Sequence, residues 1–587
     1  MPLVLGNPWG LLALLAIPVI ILLHFLQQET RRTPVTTLFL LEKLAPTSTG
    51  GRRFEQLRNS LPLWLQILAA LIIAWLLSDP RWILPSSLQR VVVVVDSSAS
   101  MSAFRDGLDT KLRPQLEAIE QNAARHEWIL METRDGGSRL YSGARLGDLF
   151  AALEEWQPRV GQHDFAPAWR VAQSMTNVHG AVIFVTDTPP EPMPGGVELL
   201  AIGETANNAG LAGFRIREEA DGPQWEALVK NYGAEDTRRE FQIIVEGQPL
   251  RTETLELPAG ETQVVRGPFP EEADRIELVL EGDAFSLDDR LPIVRPKTKK
   301  LSLSVSIPGD AERLNRVLRR LSSSLPDVVP VTGGNPNADL HLIAFNPLLS
   351  SAPDEPGLVF LHDTTEPEGY LNGLIAAEDL PLNESLNWQP LIIQEGLKIT
   401  LGERDEVLLW QGERPLIFLR RVENGEQMVF NFDVTKSNLA KLPSFVILAN
   451  RFMQQQRDRK VAPERRNVDT AQLVAVTTKP EEELRLLTGP EDEAAPQAVG
   501  PQFTAPEDPG FFELRQGEET LLAAAAQFSD GREASLSGTG SADTVGEAVQ
   551  KLAMENSETD PFRSLWIAGI LGILIWNWAH LGRRRAA

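Results

Sequence analysis

The sequence predicts a multidomain α/β plus β chain with three transmembrane helices, and three observations carry that prediction. Three apolar runs stand near the two ends, each close to the roughly 20 residues a bilayer crossing requires. Strand and helix signals alternate over residues 88–205 and again over 298–460, the order expected of α/β domains. Residues 206–297 and parts of 461–560 instead alternate apolar and polar positions with the period of β-strands.

The first predicted transmembrane helix lies within residues 1–27, where GLLALLAIPVIILLHFL is charged only if His24 is protonated. The spacing puts His24 near a helix end, where an imidazole can face the interface. The Met1 end lacks Lys and Arg, and no small-residue cleavage site follows, so the run reads as a retained anchor. A basic loop, 28–60, leads to the second predicted helix, 61–78, and a third closes the chain at 565–581 with Trp566, Trp576 and Trp578 near its ends. The loop holds Arg31, Arg32, Lys43, Arg52, Arg53 and Arg58, and the tail holds Arg583, Arg584 and Arg585. Both are expected in the cytoplasm, which places residues 79–564 on the far side of a bacterial inner membrane. That exported part carries 47 basic and 77 acidic residues, a net charge near −30. Such a charge repels nucleic acid, so DNA or RNA binding is not expected.

Residues 88–205 open on VVVVVDSSASM, Val91 to Met101. Five β-branched residues in a row read as a strand buried on both faces. Asp96, Ser98 and Ser100 follow at its carboxyl end, where open α/β sheets place their ligands. Helical stretches are expected near Thr110 to Ala124, Leu146 to Trp156 and Phe165 to Met175, and further strands at Glu127 to Met131, Ala181 to Thr186 and Val197 to Ile202. That order predicts a doubly wound sheet. Alternate residues of a tight loop can point the same way, so one carboxylate and two hydroxyls offer hard oxygen ligands suited to Mg²⁺.

These residues resemble the metal-ion-dependent adhesion site (MIDAS) of von Willebrand factor type A domains, whose first strand ends in Asp-x-Ser-x-Ser. The resemblance implies a trimmed version of that fold, and a Mg²⁺ site completed by Asp187 of AVIFVTDT, with an acidic side chain of a partner filling the open position. Two positions depart from the pattern. His163 of GQHD stands where a Thr is expected, and Thr188 replaces the Gly that follows the second Asp. Imidazole is a poor magnesium ligand, so two readings stay open: a working site of Asp96, Ser98, Ser100 and Asp187, or a loop that keeps the fold without the ion.

Residues 206–297 read as a small antiparallel β-sandwich, with Phe241, Ile243 and Val245 alternating, a turn at Glu246 to Gln248, and a second alternation from Arg275 to Leu280. Asp283, Asp288 and Asp289 lack the spacing of an EF-hand loop and read as a solvated turn, with calcium the other possibility. Residues 298–460 return to α/β, with strands at Leu301 to Val305, 339–345, 357–362, 415–420 and 428–433 and helices through Leu314 to Leu321 and Phe445 to Phe452. This pattern resembles class I glutamine amidotransferase-like domains. That family's nucleophile is a Cys and this chain has none, so the resemblance implies a structural or ligand-binding remnant. Residues 461–560 read as a β-rich module in which Lys479 to Gly510 is an acidic, proline-bearing linker, followed by a hairpin in GFFELRQGEETLLAAAAQ.

The absence of cysteine also removes disulfides, thiolate metal sites and thiol redox motifs at once. The order of NPWGLLALLAIPVIILLHFL, the loop RRTPVTTLFLLEKL, a second apolar run and Asp-x-Ser-x-Ser resembles the BatA family of bacterial aerotolerance-regulator membrane proteins. It implies a link to MoxR-type AAA+ ATPases on the cytoplasmic side, in protein assembly or stress tolerance. The expected function is therefore a non-enzymatic membrane scaffold for protein–protein interaction. An envelope hydrolase is the rival, although GxSxG and paired-carboxylate signatures are missing, and an accessory subunit of a transport complex is a third reading.

Overall fold

The structure is a computed structural model that describes residues 3–26, 61–85, 87–176, 180–219, 222–331, 337–367, 369–480, 482–489 and 496–586. The basic loop expected at 28–60 lies outside the described residues, as does the side chain of His24. The chain is a multidomain assembly of α/β and β folds.

The first α/β domain is a six-stranded sheet built from β1 (Leu88–Val95), β2 (Arg125–Glu132), β3 (Ser138–Gly143), β4 (Ala181–Thr186), β5 (Val197–Ile202) and β6 (Ser541–Asp543). Its order is β6-β5-β4-β1-β2-β3, with β1, β2, β4 and β5 parallel and the two edge strands antiparallel. The helices are α1 (Arg105–Glu120), α2 (Leu146–Glu155), α3 (Ala166–Met175) and α4 (Val545–Glu555). Val91 through Val95 are fully buried because the pleat sends alternate side chains to opposite covered faces. Val91, Val93 and Val95 meet Leu112, Leu116 and Val545, while Val92 and Val94 meet Ala168 and Phe184.

The last strand and helix of this domain come from the far end of the chain. The expected single module over 461–560 therefore divides: its first part forms a sheet of its own, and residues from Ser541 onward complete the first domain. Local pattern could not show this, because α4 is an ordinary amphipathic helix whose partner face lies more than 400 residues earlier. The stretch Lys479 to Gly510 also departs from the expected linker. Strands Leu484–Thr488, Gln497–Val499 and Gln502–Thr504 lie within it, and Leu484 and Leu486 are buried in the module's core despite their acidic flanks.

The sandwich packs a four-stranded antiparallel sheet on a three-stranded one, with Trp225, Phe241 and Leu278 between them. Glu246 and Gly247 both adopt positive φ and join Val245 to Gln248 in the two-residue hairpin the sequence marked. Asp283, Asp288 and Asp289 differ from the expected solvated turn, since Asp288 and Asp289 are buried and the carboxyls of Asp283 and Asp288 meet residues 208–210. Asp283 accepts from the Ala209 amide at 2.9 Å and from Arg239 at 3.0 Å, and Asp288 accepts from Asn208 Nδ2 at 2.9 Å. A β-carbon on Gly210 would collide with the Asp288 carboxylate, so glycine is required there.

Burial, with the charge of Asp283 added, pushes the Asp289 carboxyl up to about 7. Burial likewise raises Asp288. The folded sandwich holds these protons more tightly than the unfolded chain does. Its stability is thus greatest below the ordinary carboxyl range near 3.8 and declines as pH rises through about 7. Hydrogen exchange of the strand Arg275–Leu280 should accelerate between pH 6 and 8 beyond the intrinsic rate change, by an amount on the order of 2 kcal/mol. Asp289→Asn should flatten that excess, and an unaltered slope would show that these carboxyls are not the cause.

The second α/β domain is an eight-stranded sheet, five strands parallel and three in an antiparallel extension. Phe360 and Phe430 stack at 4.6 Å beneath the helix Pro443–Arg459. The sequence reading missed its strands Val328–Val331, Ile375–Ala377 and Glu406–Gln411, which are short or at the margin of the sheet.

The apolar runs gather at one collar. Leu3–Leu5 pairs with Pro80–Ile83, which pairs with Ser557–Thr559, so the start of the first run, the exit of the second and the entry of the third share a small sheet. Trp75 Nε1 and Trp566 Nε1 both donate to Asp560 Oδ2, at 3.0 and 2.8 Å. The first run is a 3₁₀ segment, Pro8–Leu15, continuing into the helix Ala16–Leu26; the second is the helix Leu61–Leu77 of 17 residues; the third is Arg563–Ala586. At about 1.5 Å per residue the second spans about 26 Å, short of the roughly 30 Å hydrocarbon layer. Among the described residues no helix is long and apolar enough to cross a membrane. Trp9, Leu15, Trp64, Ile575 and Trp578 are nonetheless exposed on these segments, an apolar surface of the kind that meets lipid or protein.

Candidate functional site

The carboxyl ends of β1 and β4 bring all four residues expected from the sequence into one pocket of buried polar groups. Asp96 directly follows β1 and Asp187 directly follows β4; because the strands are parallel neighbours, both carboxylates emerge on the same edge. Each is only 1% exposed. Asp96 Oδ1 accepts from the Ser98 amide at 2.9 Å and Oδ2 from the Thr186 hydroxyl at 2.6 Å. The Ser98 and Ser100 hydroxyls lie 3.3 Å apart. Backbone bonds from Ser97 and Ala99 to Val160 pin the main chain of the loop.

His163 occupies the second loop of the site, where its ring binds protein groups. Its Nδ1 lies 2.9 Å from the Gly161 carbonyl and its Nε2 2.6 Å from the Thr133 hydroxyl. With Nδ1 carrying the proton, Nε2 accepts from Thr133, whose oxygen also accepts from the Ser97 amide at 2.8 Å. Imidazole thus braces the loop from behind, a role in keeping with its poor affinity for magnesium. Glu132 forms a second layer, accepting from Ser97 Oγ at 3.2 Å and Trp156 Nε1 at 3.1 Å.

A residue the sequence reading did not reach also enters the site. Glu533, 6% exposed, accepts from the Ser100 amide at 3.1 Å. It arrives from a loop 433 positions away, where no local signal marks it. Thr133 and Thr186 were legible in principle, since both stand at the carboxyl ends of strands that flank β1.

Crowding of carboxylates sets the electrostatics. Burial pushes Glu533 up to about 7, with Asp96 and Asp187 adding to the effect. Burial and then the charge of Asp96 push Asp187 up to about 6, against a hydrogen bond from Ser100. Burial raises Asp96 as well, against the Thr186 and Ser98 bonds. Asp187 Oδ2 is buried with no hydrogen-bond partner. A buried carboxylate oxygen left without a donor beside a second carboxylate is the arrangement a cation relieves. Among the described residues no three His, Cys, Asp or Glu side chains are placed to hold a metal ion, so the carboxylates alone do not form a site and the serine hydroxyls would have to contribute. The available donors are hard oxygens, which fit Mg²⁺ by type.

Residues 1–80 match the family model of the aerotolerance regulator N-terminal domain, BatA. Residues 209–292 match a domain of unknown function, DUF7407. Comparison with curated proteins gives no match. Among solved structures, three N-terminal domains of the type V pili tip protein Mfa5 from Porphyromonas gingivalis align at 16% identity and TM-score 0.15, covering 20% of this chain and 24% of that one. The conserved hypothetical protein BatB from Bacteroides thetaiotaomicron aligns at 13% identity and TM-score 0.17, covering 23% of this chain and 77% of that one. Over its opening 80 residues the chain is BatA-like.

Proposed function

We propose that this BatA-like chain is a non-enzymatic scaffold of the bacterial inner membrane that offers its first α/β domain, a von Willebrand A-like module, to partner proteins. The observation that carries the reading is the convergence of Asp96, Ser98, Ser100 and Asp187 at the carboxyl ends of two buried parallel strands. In this reading the four residues hold Mg²⁺, which supplies a positive centre for a carboxylate ligand. Asp96 orients the loop through the Ser98 amide, and Thr186 fixes the rotamer of Asp96.

Three apolar segments cross the membrane, and the domains between them lie outside the cytoplasm. The shared collar supports this, since the start of the first run, the end of the second and the start of the third all stand at one level. The short helices would then cross with help from neighbouring segments or a locally thinned bilayer. A cytoplasmic MoxR-type AAA+ ATPase, in protein assembly or aerotolerance, is the proposed partner system. The scaffold reading gains over the hydrolase reading because both ring nitrogens of His163 are engaged by Gly161 and Thr133, which leaves that imidazole unavailable as a base for Ser98 or Ser100.

Pull-down of the full chain from membranes, with and without chelator, tests the proposal. Partners recovered in Mg²⁺ should be lost on chelation and with Asp96→Ala. A partner set indifferent to both would remove the metal-dependent interaction, and reporter fusions placing residues 79–564 in the cytoplasm would remove the topology.

A further inference from the structure

The segment that follows the last hairpin of the β-rich module does not hang free. It runs from Phe528 to Gly540 across the mouth of the Asp96 site and touches each of the three loops that form it. Glu533 Oε2 accepts from the Ser100 amide in the first loop at 3.1 Å. Asp530 Oδ2 accepts from the Gln162 amide in the second at 3.2 Å. The Gly540 amide donates to the Asp187 carbonyl in the third at 2.9 Å.

Apolar packing fixes the same segment from behind. Phe528, Ala534 and Leu536 are buried with Ala99 from the site loop and Phe285 and Leu287 from the sandwich, the Phe528 and Phe285 rings 5.3 Å apart. Asn208 Nδ2 ties the Ala534 carbonyl to the sandwich at 2.8 Å. The neighbouring loop of the same module adds ion pairs on the same edge, Arg134 with Glu507 and Arg159 with Asp508. Asp187 Oδ2 is buried without a donor, and the charges of Asp96 and Asp187 both act on the Glu533 carboxyl, so the segment's acid shares the electrostatic environment of the site.

We propose that the segment 528–540 is the site's own ligand: Glu533 occupies the position through which an outside carboxylate would enter, so the folded chain keeps the site closed and ties its last module to its first α/β domain. The inference rests on the ligand-binding reading of Asp96, Ser98, Ser100 and Asp187 given above. An outside protein then reaches the site only by offering a carboxylate in exchange for Glu533. Because β6 and α4 follow at once, release of the segment need not unfold the sheet, which stays anchored through β6 on β5.

The test uses the full chain in detergent, wild type and Glu533→Ala, with a labelled peptide of the sequence 528–538 as probe. Hydrogen exchange over residues 97–101 should be at least about tenfold faster in Glu533→Ala while β4 is unchanged. The peptide should bind Glu533→Ala at least about tenfold more tightly than wild type, and a peptide carrying Glu533→Gln should lose that gain. Unchanged exchange over 97–101, equal peptide binding by both chains, or faster exchange without peptide capture would each overturn the proposal. A parallel comparison in Mg²⁺ and in chelator separates the two ideas: exchange indifferent to Mg²⁺ removes the metal, whereas the Glu533→Ala result alone decides whether the segment is the ligand.

Discussion

In the proposed Mg²⁺ site, Asp96→Ala should weaken Mg²⁺ or Mn²⁺ binding by the full chain at least about 100-fold, because it removes a proposed ligand and also the anchor that shapes the loop. Asp96 is buried and accepts from both the Ser98 amide and the Thr186 hydroxyl. Its loss takes the acceptor from the Ser98 amide, at a cost of about 1–3 kcal/mol, while the Thr186 hydroxyl still lies 3.2 Å from the Thr188 carbonyl. That cost is offset in part, since the repulsion from Asp187 and Glu533 disappears with it. Asp96→Asn separates the two effects. The amide keeps an acceptor oxygen for one donor but carries no charge, so the loop should stay folded while cation affinity is still lost. Titration of Mn²⁺ followed by electron paramagnetic resonance reads affinity directly, and hydrogen exchange of β1 reports the fold. Wild-type affinity retained in Asp96→Asn would show that the carboxylate is not a ligand.

The parts of this chain that local chemistry dictates were legible in its sequence. Five valines ending in Asp-x-Ser-x-Ser gave both the central strand and the loop, since a two-sided buried strand needs unbroken β-branched residues and its carboxyl end needs polar ones. Phe241 and Ile243 alternated as a half-buried strand must, and Glu246 with Gly247 supplied the positive φ angles of a tight hairpin. The placement of Asp96, Ser98, Ser100 and Asp187 at one edge of the sheet was legible for the same reason: each follows a recognisable strand.

What escaped was set by contacts between distant segments. Glu533 looks like any exposed loop acid, and it becomes a buried one only when the β-rich module docks on Ser100. Asp288 read as part of a solvated turn because nothing local shows that Asn208 and Gly210 lie against it. Leu484 and Leu486 were overshadowed by surrounding acids, although their period-two spacing was present. Helix α4 shows the limit most clearly. Its amphipathic pattern announces a buried face but carries no address for the surface that buries it.

That address can be tested by Val545→Asp, which should destabilise the first α/β domain by about 3–5 kcal/mol, the range for an unpaired charge or polar group forced into a core. Val545 is fully buried and packs in the same cluster as Val91, Leu112 and Ile183. The residues that surround it in that cluster are apolar. The helix is further fastened by the Asp543 carboxylate, which accepts the Val545 amide at 2.8 Å and the Gln115 amide nitrogen of α1 at 2.8 Å. Exposed Glu547 on the same helix is the control, since Glu547→Ala should change stability by less than about 0.5 kcal/mol. The decisive measurement is hydrogen exchange of Val91–Val95, more than 400 residues earlier in the chain. If the domain is completed by its distant carboxyl-terminal piece, protection of β1 should fall with Val545→Asp and not with Glu547→Ala. Protection unchanged in both would mean that α4 contributes nothing to that core, and that residues 88–205 hold their sheet together without it.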